Sequence, residues 1–225
     1  MDNTYMCGGS LLNPNPDRRS LHSGLHVARG WSRWIGRPAV VDEGVQNRMI
    51  VSFQVHPDFN EDKGLQHDIA VLEVDQEFDL SDSVETVKIL SDDAKLITRK
   101  FATVIGFGTH KSKIFISFLR PKILCLVIGT EKKDAPHLLQ AKIPMRNLEN
   151  CKKIWEDYTG GKVVVDDSQF CAGAFEKGSG PGDSGGSANM KVKDEWVQMG
   201  LVSTGIQDPA FMVHKDKVPG NYIEM

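Results

Sequence analysis

The 225-residue chain has no excess of basic charge, no unbroken apolar stretch long enough for a bilayer and no closely spaced pair of cysteines. Its 27 Lys and Arg face 30 Asp and Glu, a net charge of −3, so the basic footprint that holds nucleic acid is missing. The longest apolar run, 114–129, is cut by Arg120, Pro121 and Lys122, and no membrane-spanning helix is expected. The four cysteines, Cys7, Cys125, Cys151 and Cys171, form no Cys-x-x-Cys or Cys-x-x-His pair, so neither a metal site nor a cofactor is expected. The opening Met1 to Met6 lacks a basic start followed by an apolar stretch, so no secretory leader is read in the chain as written.

What is present describes a folded protein. Hydrophobic residues make up 40% and charged residues 25%, enough chain and core for one large domain or two small ones. Alternating or β-branched runs at 39–41, 49–55, 69–74, 102–105, 163–165 and 196–202, each bounded by Gly, Pro, Asp or Asn, predict strands of a sandwich or of barrels. One helix is predicted over 146–158, where Leu148, Cys151, Ile154 and Trp155 share a face and Asn147 or Asn150 can cap.

The segment with most chemical content is Gly182-Asp183-Ser184-Gly185-Gly186, preceded by Cys171-Ala172-Gly173. A serine between glycines can sit on a tight turn whose backbone N–H groups converge on one point, the geometry an oxyanion hole needs. Alone, the segment suits a solvated glycine-rich turn equally well. Ahead of it come, in order, Cys7-Gly8-Gly9-Ser10-Leu11-Leu12, His56-Pro57-Asp58-Phe59, His67-Asp68-Ile69-Ala70-Val71-Leu72, Gly106-Phe107-Gly108 and Leu139-Gln140 through Ile143-Pro144. Gly200-Leu201-Val202-Ser203 and Pro219-Gly220-Asn221-Tyr222 follow it.

This ordered set resembles the chymotrypsin/trypsin-like serine protease family over nearly the whole chain. The resemblance implies an all-β fold of two antiparallel β-barrels, about 1–100 and about 101–225, with the first barrel incomplete. It implies a serine endopeptidase with a Ser/His/Asp triad, extracellular, with protein or peptide substrates and protease inhibitors as partners. Ser184 matches the nucleophile, and the Gly182 and Ser184 amides match the oxyanion hole, each such donor contributing roughly 10²–10³ in rate. Asp68 matches the carboxylate that orients the base; by itself it also reads as an aspartate at a strand start. His56 and His67 read as structural or surface histidines. The family histidine falls fifteen residues after the first cysteine, which lands on His22. Its surroundings differ, because the family's Thr-Ala-Ala-His-Cys is replaced by Asp17-Arg18-Arg19-Ser20-Leu21-His22. Codons for those six residues, read one nucleotide later, can encode Thr-Ala-Ala-His-Cys.

The resemblance also pairs Cys151 with Cys171, a closure that would stabilise the second barrel by roughly 3 kcal/mol, and leaves Cys7 unpaired. Gly178, six residues before Ser184, stands where relatives that cut after Lys or Arg carry Asp; with Gly205 and Gly220 on the walls, a large apolar primary-site residue is expected. Residues 110–129 interrupt the family path and read either as a loop insertion or as a translated intron. Asp183 matches a carboxylate that the freed N-terminus of an activated zymogen neutralises. Since only six residues precede Cys7, Asp183 is expected to lack that partner and the oxyanion turn to collapse. A non-catalytic homologue serving as a binding module is the alternative.

Overall fold

The computed structural model describes residues 7–12, 20–23, 34–35, 46, 48–62, 64–82, 84–90, 100–117, 127–135, 138–206 and 214–224, giving the backbone alone at 20–23, 34–35, 110–117 and 127–134. In chain order the strands of the first part are β1 (Ser10–Leu11), β2 (Ser20–Ser23), β3 (Trp34–Ile35), β4 (Arg48–Val55) and β5 (Ala70–Val74). Those of the second part are β6 (Phe101–Gly106), β7 (Thr109–Ser117), β8 (Val127–Asp134), β9 (Leu139–Pro144), β10 (Gln169–Ala172), β11 (Ser187–Val192), β12 (Glu195–Thr204) and β13 (Gly220–Glu224). The first five form one antiparallel sheet, β1-β2-β5-β4-β3, and six of the others a second, β10-β13-β12-β11-β6-β9. This is the all-β, chymotrypsin-like architecture expected from the resemblance, with five strands described in its first sheet.

Pattern explains the pairing. In β5, Ala70, Leu72 and Val74 are buried while Glu73 is exposed, the two-residue period of a half-covered strand. β12 lies between β13 and β11 and is buried continuously from Val197 to Ser203, as a strand covered on both faces is, with Gln198 and Ser203 the polar residues of that run. Its Val197, Met199 and Val202 pack with Val104, Ile143, Phe170 and Tyr222, the last two rings stacked 5.0 Å apart. The segment between the sheets stitches them together: Val87 N–H donates to Leu11 carbonyl at 2.7 Å, and Gln198 N–H to Lys88 carbonyl at 2.9 Å.

Helix α1 (Leu148–Thr159) starts at Asn147, whose side chain accepts from Asn150 N–H at 3.0 Å, and ends at Gly160 with φ 62°. It buries Cys151 and Trp155, and Cys151 is joined to Cys171 of β10 by a disulfide with Cα atoms 6.3 Å apart. The expected strand at 163–165 does not form. Val163 follows the helix end directly and spends its N–H on Thr159 Oγ1 at 3.0 Å, while Val165 packs against the helix. The strand expected at 39–41 lies outside the described residues, as does Cys125.

Among the described residues, β7 and β8 pair with each other and with no other strand. Their feet meet: Thr109 pairs with Asp134, and Ala135 N–H donates to the carbonyls of Phe107 and Gly108 at 3.2 and 3.3 Å. Within 110–129, residues 110–117 and 127–129 therefore belong to paired strands whose feet meet beside the second sheet.

Candidate active site

Ser184 sits on the turn leading into β11. Asp183 N–H donates to Gly180 carbonyl at 3.0 Å and Gly186 N–H to Asp183 carbonyl at 2.9 Å, which closes the turn on itself. Gly185 N–H donates to Val202 carbonyl at 2.7 Å and Val202 N–H to Gly186 carbonyl at 2.9 Å, which fastens it to β12. Gly8, from the first part of the chain, donates its N–H to Ser184 carbonyl at 2.6 Å, and a Cβ at Gly8 would run into Gly186. Gly182 takes φ +90° and Gly185 φ +76°, conformations that L side chains rarely adopt.

Carbonyl positions fix where the amides point. Pro181 carbonyl accepts from Thr109 N–H at 2.8 Å, and in a planar trans peptide the following N–H points the opposite way, so Gly182 N–H faces away from Thr109. Asp183 carbonyl is likewise held by Gly186, which directs Ser184 N–H outward from the turn. Among the described residues neither N–H meets a backbone acceptor. One turn thus carries two unspent donors beside a serine hydroxyl.

Asp183 is not left bare. Its carboxylate accepts from Gly108 N–H and from Gly180 N–H, both at 2.8 Å. Side chains at Gly106 or Gly108 would overlap that carboxylate, which accounts for the Gly-Phe-Gly segment. Asp183 thus has partners in the structure, two backbone amides that answer its charge.

Asp68 is buried, 1% exposed, just before β5. The backbone reaches it through a tight bend in which His67 has φ 52° and Ile69 N–H donates to His67 carbonyl at 2.7 Å. The His67 ring stacks on His56 with centroids 4.6 Å apart. Ser203 Oγ, from β12, donates to the Asp68 carboxylate at 2.7 Å. Ser203 has no role in the sequence motif Gly200-Leu201-Val202-Ser203; its signal is a small hydroxyl at the end of a buried strand. Since Ser203 follows Val202, the strand that fastens the Ser184 turn also fastens Asp68. Cys7 is a free, exposed cysteine, yet local desolvation first and the nearby Asp68 charge second raise the pKa of its thiol.

His22 is placed by its backbone. β2 runs between β1 and β5, with His22 opposite Ser10 on one side and Val71 on the other, and its side chain lies outside the described residues. The charged run before it does not prevent a strand at Ser20–Ser23.

Beside Ser184 lies a small cavity of about 30 Å³ lined by residues that include Ser179, Ser203, Gly205 and Lys215. The space that glycine leaves at 178 and 205 is occupied by Lys215. A Cβ at Gly173 would lie 2.9 Å from Lys215 Cβ, one at Gly178 3.0 Å from its Cγ and one at Gly205 3.1 Å from its Nζ. Gly220 lies against Ser179 Oγ, which meets Tyr222 OH at 3.2 Å; burial pushes the Tyr222 pKa up to about 12. Lys215 is 3% exposed, and its pKa is lowered to about 8 by burial, with the Asp183 charge pulling the other way.

Comparison with known proteins gives this constellation its relatives. The chain is 25% identical over 215 residues to Serine protease 28 of Mus musculus, covering 90% of this chain and 69% of that protein. It is 26% identical over 198 residues to Kallikrein 1-related peptidase b24 of Mus musculus, covering 82% of this chain and 65% of the relative. A family model described as Trypsin matches residues 1–223, and the chain belongs to the trypsin family of serine proteases.

Proposed function

We propose that this chain is a serine endopeptidase in which Ser184, His22 and Asp68 form the triad and the Gly182 and Ser184 amides the oxyanion hole. The observation that carries the reading is the orientation of those two amides, fixed by the Pro181 and Asp183 carbonyls and left unspent beside the Ser184 hydroxyl. In the reaction, Ser184 Oγ attacks the peptide carbonyl carbon while His22 takes its proton. The negative oxygen of the tetrahedral species lies against the two N–H groups. Collapse breaks the C–N bond, the proton passes from His22 to the departing amine, and water then cleaves the acyl-serine ester with the same proton traffic. Asp68, held by Ser203, keeps the imidazole in the tautomer that accepts at the serine. The same reading puts the protein outside the cell, with protein substrates and protease inhibitors as partners, and takes 1–100 and 101–225 as the two barrels.

A fluorophosphonate probe tests this, since only an activated serine reacts. Covalent labelling of the full chain is expected, with loss of label in Ser184→Ala by roughly the 10⁴–10⁶ that separates a triad serine from its absence. A folded chain that stays unlabelled would establish the binding-module reading, which the replacement of the apolar residues before His22 by Asp17, Arg18 and Arg19 favours. The large apolar primary-site preference rests on glycine at 178, 205 and 220 and requires Lys215 to leave the space it fills.

A further inference from the structure

Lys215 is an unusual tenant for the interior. Its stem passes Gly173 and Gly178, and its ammonium reaches Gly205 at the cavity beside Ser184. The negative charge that acts on it is that of Asp183, whose carboxylate is already engaged by the Gly108 and Gly180 amides. No hydrogen bond or ion pair to the ammonium is made among the described residues. A buried cation in that position is costly until an anion arrives, and an anion that arrives is drawn to one place.

We propose that Lys215 makes the primary pocket an anion site, so that the peptide accepted beside Ser184 carries a carboxylate side chain, Asp or Glu, just before the bond to be cut. The reading rests on the assignment of Ser184 as nucleophile. Volume supports it: a cavity of about 30 Å³ takes one or two water-sized groups, enough for a carboxylate head and too little for an aromatic ring. Ser179, Ser203 and Gly205 line the same space. Gly178 and Gly205, which suggest an open slot in the sequence, serve to house the lysine. Lys215 is thus a specificity-determining residue, and the selected substrate is set by charge before size.

The test reads binding, so it does not depend on turnover. Short blocked peptides ending in Asp, Glu, Phe or Lys amide are titrated into the full chain carrying isotope-labelled lysine side chains. The Asp or Glu peptide is expected to bind about tenfold or more tighter than the Phe and Lys peptides and to move the Lys215 methylene resonance. Lys215→Met is expected to erase that preference, and Lys215→Arg to keep it. Equal or tighter binding of the Phe peptide, binding of no peptide, or an acidic preference that survives Lys215→Met each overturns the proposal. Fluorophosphonate labelling runs in parallel: label at Ser184 without acidic preference leaves the protease and removes the anion site, whereas acidic binding through Lys215 without label keeps the site and removes the protease.

Discussion

Among the described residues, the two sheets bury unequal cores. In the second, eleven buried residues make one cluster that includes Ile143, Met199 and Tyr222, and a disulfide ties α1 to β10 beside it. In the first, the described core is Ala70 and Leu72, backed by partly buried Leu11, Ile50 and Val55, while β4 leaves Val51 58% and Phe53 53% exposed. The candidate site draws on both parts: Ser184, Gly182, Ser203 and Lys215 come from the second, Asp68 and His22 from the first. The difference teaches that the turn carrying Ser184 is fastened within the second part, whereas the two parts are joined at the site through Ser203 and Asp68, and through Gly8 and Ser184.

The largest effect that separates the two sheets is a cavity in each. Leu201→Ala, at a fully buried site, is expected to cost about 3–5 kcal/mol in denaturant unfolding, while Leu72→Ala, among half-exposed neighbours, falls near 2 kcal/mol. Equal costs would mean that the first sheet is covered as well as the second.

Next is the charge buried in the second sheet. The folded-state pKa of Lys215, lowered by burial to about 8, lies below the ordinary lysine value of 10.5. Between those values the unfolded chain binds more protons, so stability rises with pH from about 8 to 10.5, by on the order of 3 kcal/mol. Thermal unfolding across that window is expected to show the rise in the parent chain and a flat profile in Lys215→Met. A rise that persists in the variant assigns it to another group.

The smallest effect probes the junction. Ser203→Ala removes the hydroxyl that donates to Asp68 and is expected to cost about 1.5–3 kcal/mol, the range for a hydrogen bond to a charged group. Fluorophosphonate labelling is expected to slow with it. Labelling at the parent rate would show that Asp68 holds its place without β12.

Legibility followed the range of the interactions. The Gly182 to Gly186 turn and the Asn147-capped helix were readable because their geometry is settled within a few residues, and the helix face of Leu148, Cys151 and Trp155 came out as its spacing predicts. β4 and β5 were bounded to within a residue or two. The 163–165 run misled because β-branched residues beside a helix end can serve packing instead of pairing. β2 was hidden by Arg18, Arg19 and Asp17, since a strand between two partners is set by its backbone ladders as much as by its side chains. Lys215 was illegible for a different reason. Between His214 and Asp216 it looks like any solvated surface charge, and only the folding together of Gly173, Gly178 and Gly205 reveals its burial.

The closed feet of the β7–β8 hairpin have a wider meaning. Chain that departs after Gly108 and returns at Ala135 passes through a single gate, so its length is decoupled from the body of the fold and adds only the slow logarithmic penalty of a longer loop. That gate adjoins the Gly108 N–H holding Asp183 and the Thr109 N–H holding Pro181. The fold thus keeps a port where whole segments can be gained or lost over evolutionary time without disturbing the hinge pins of the turn that carries Ser184.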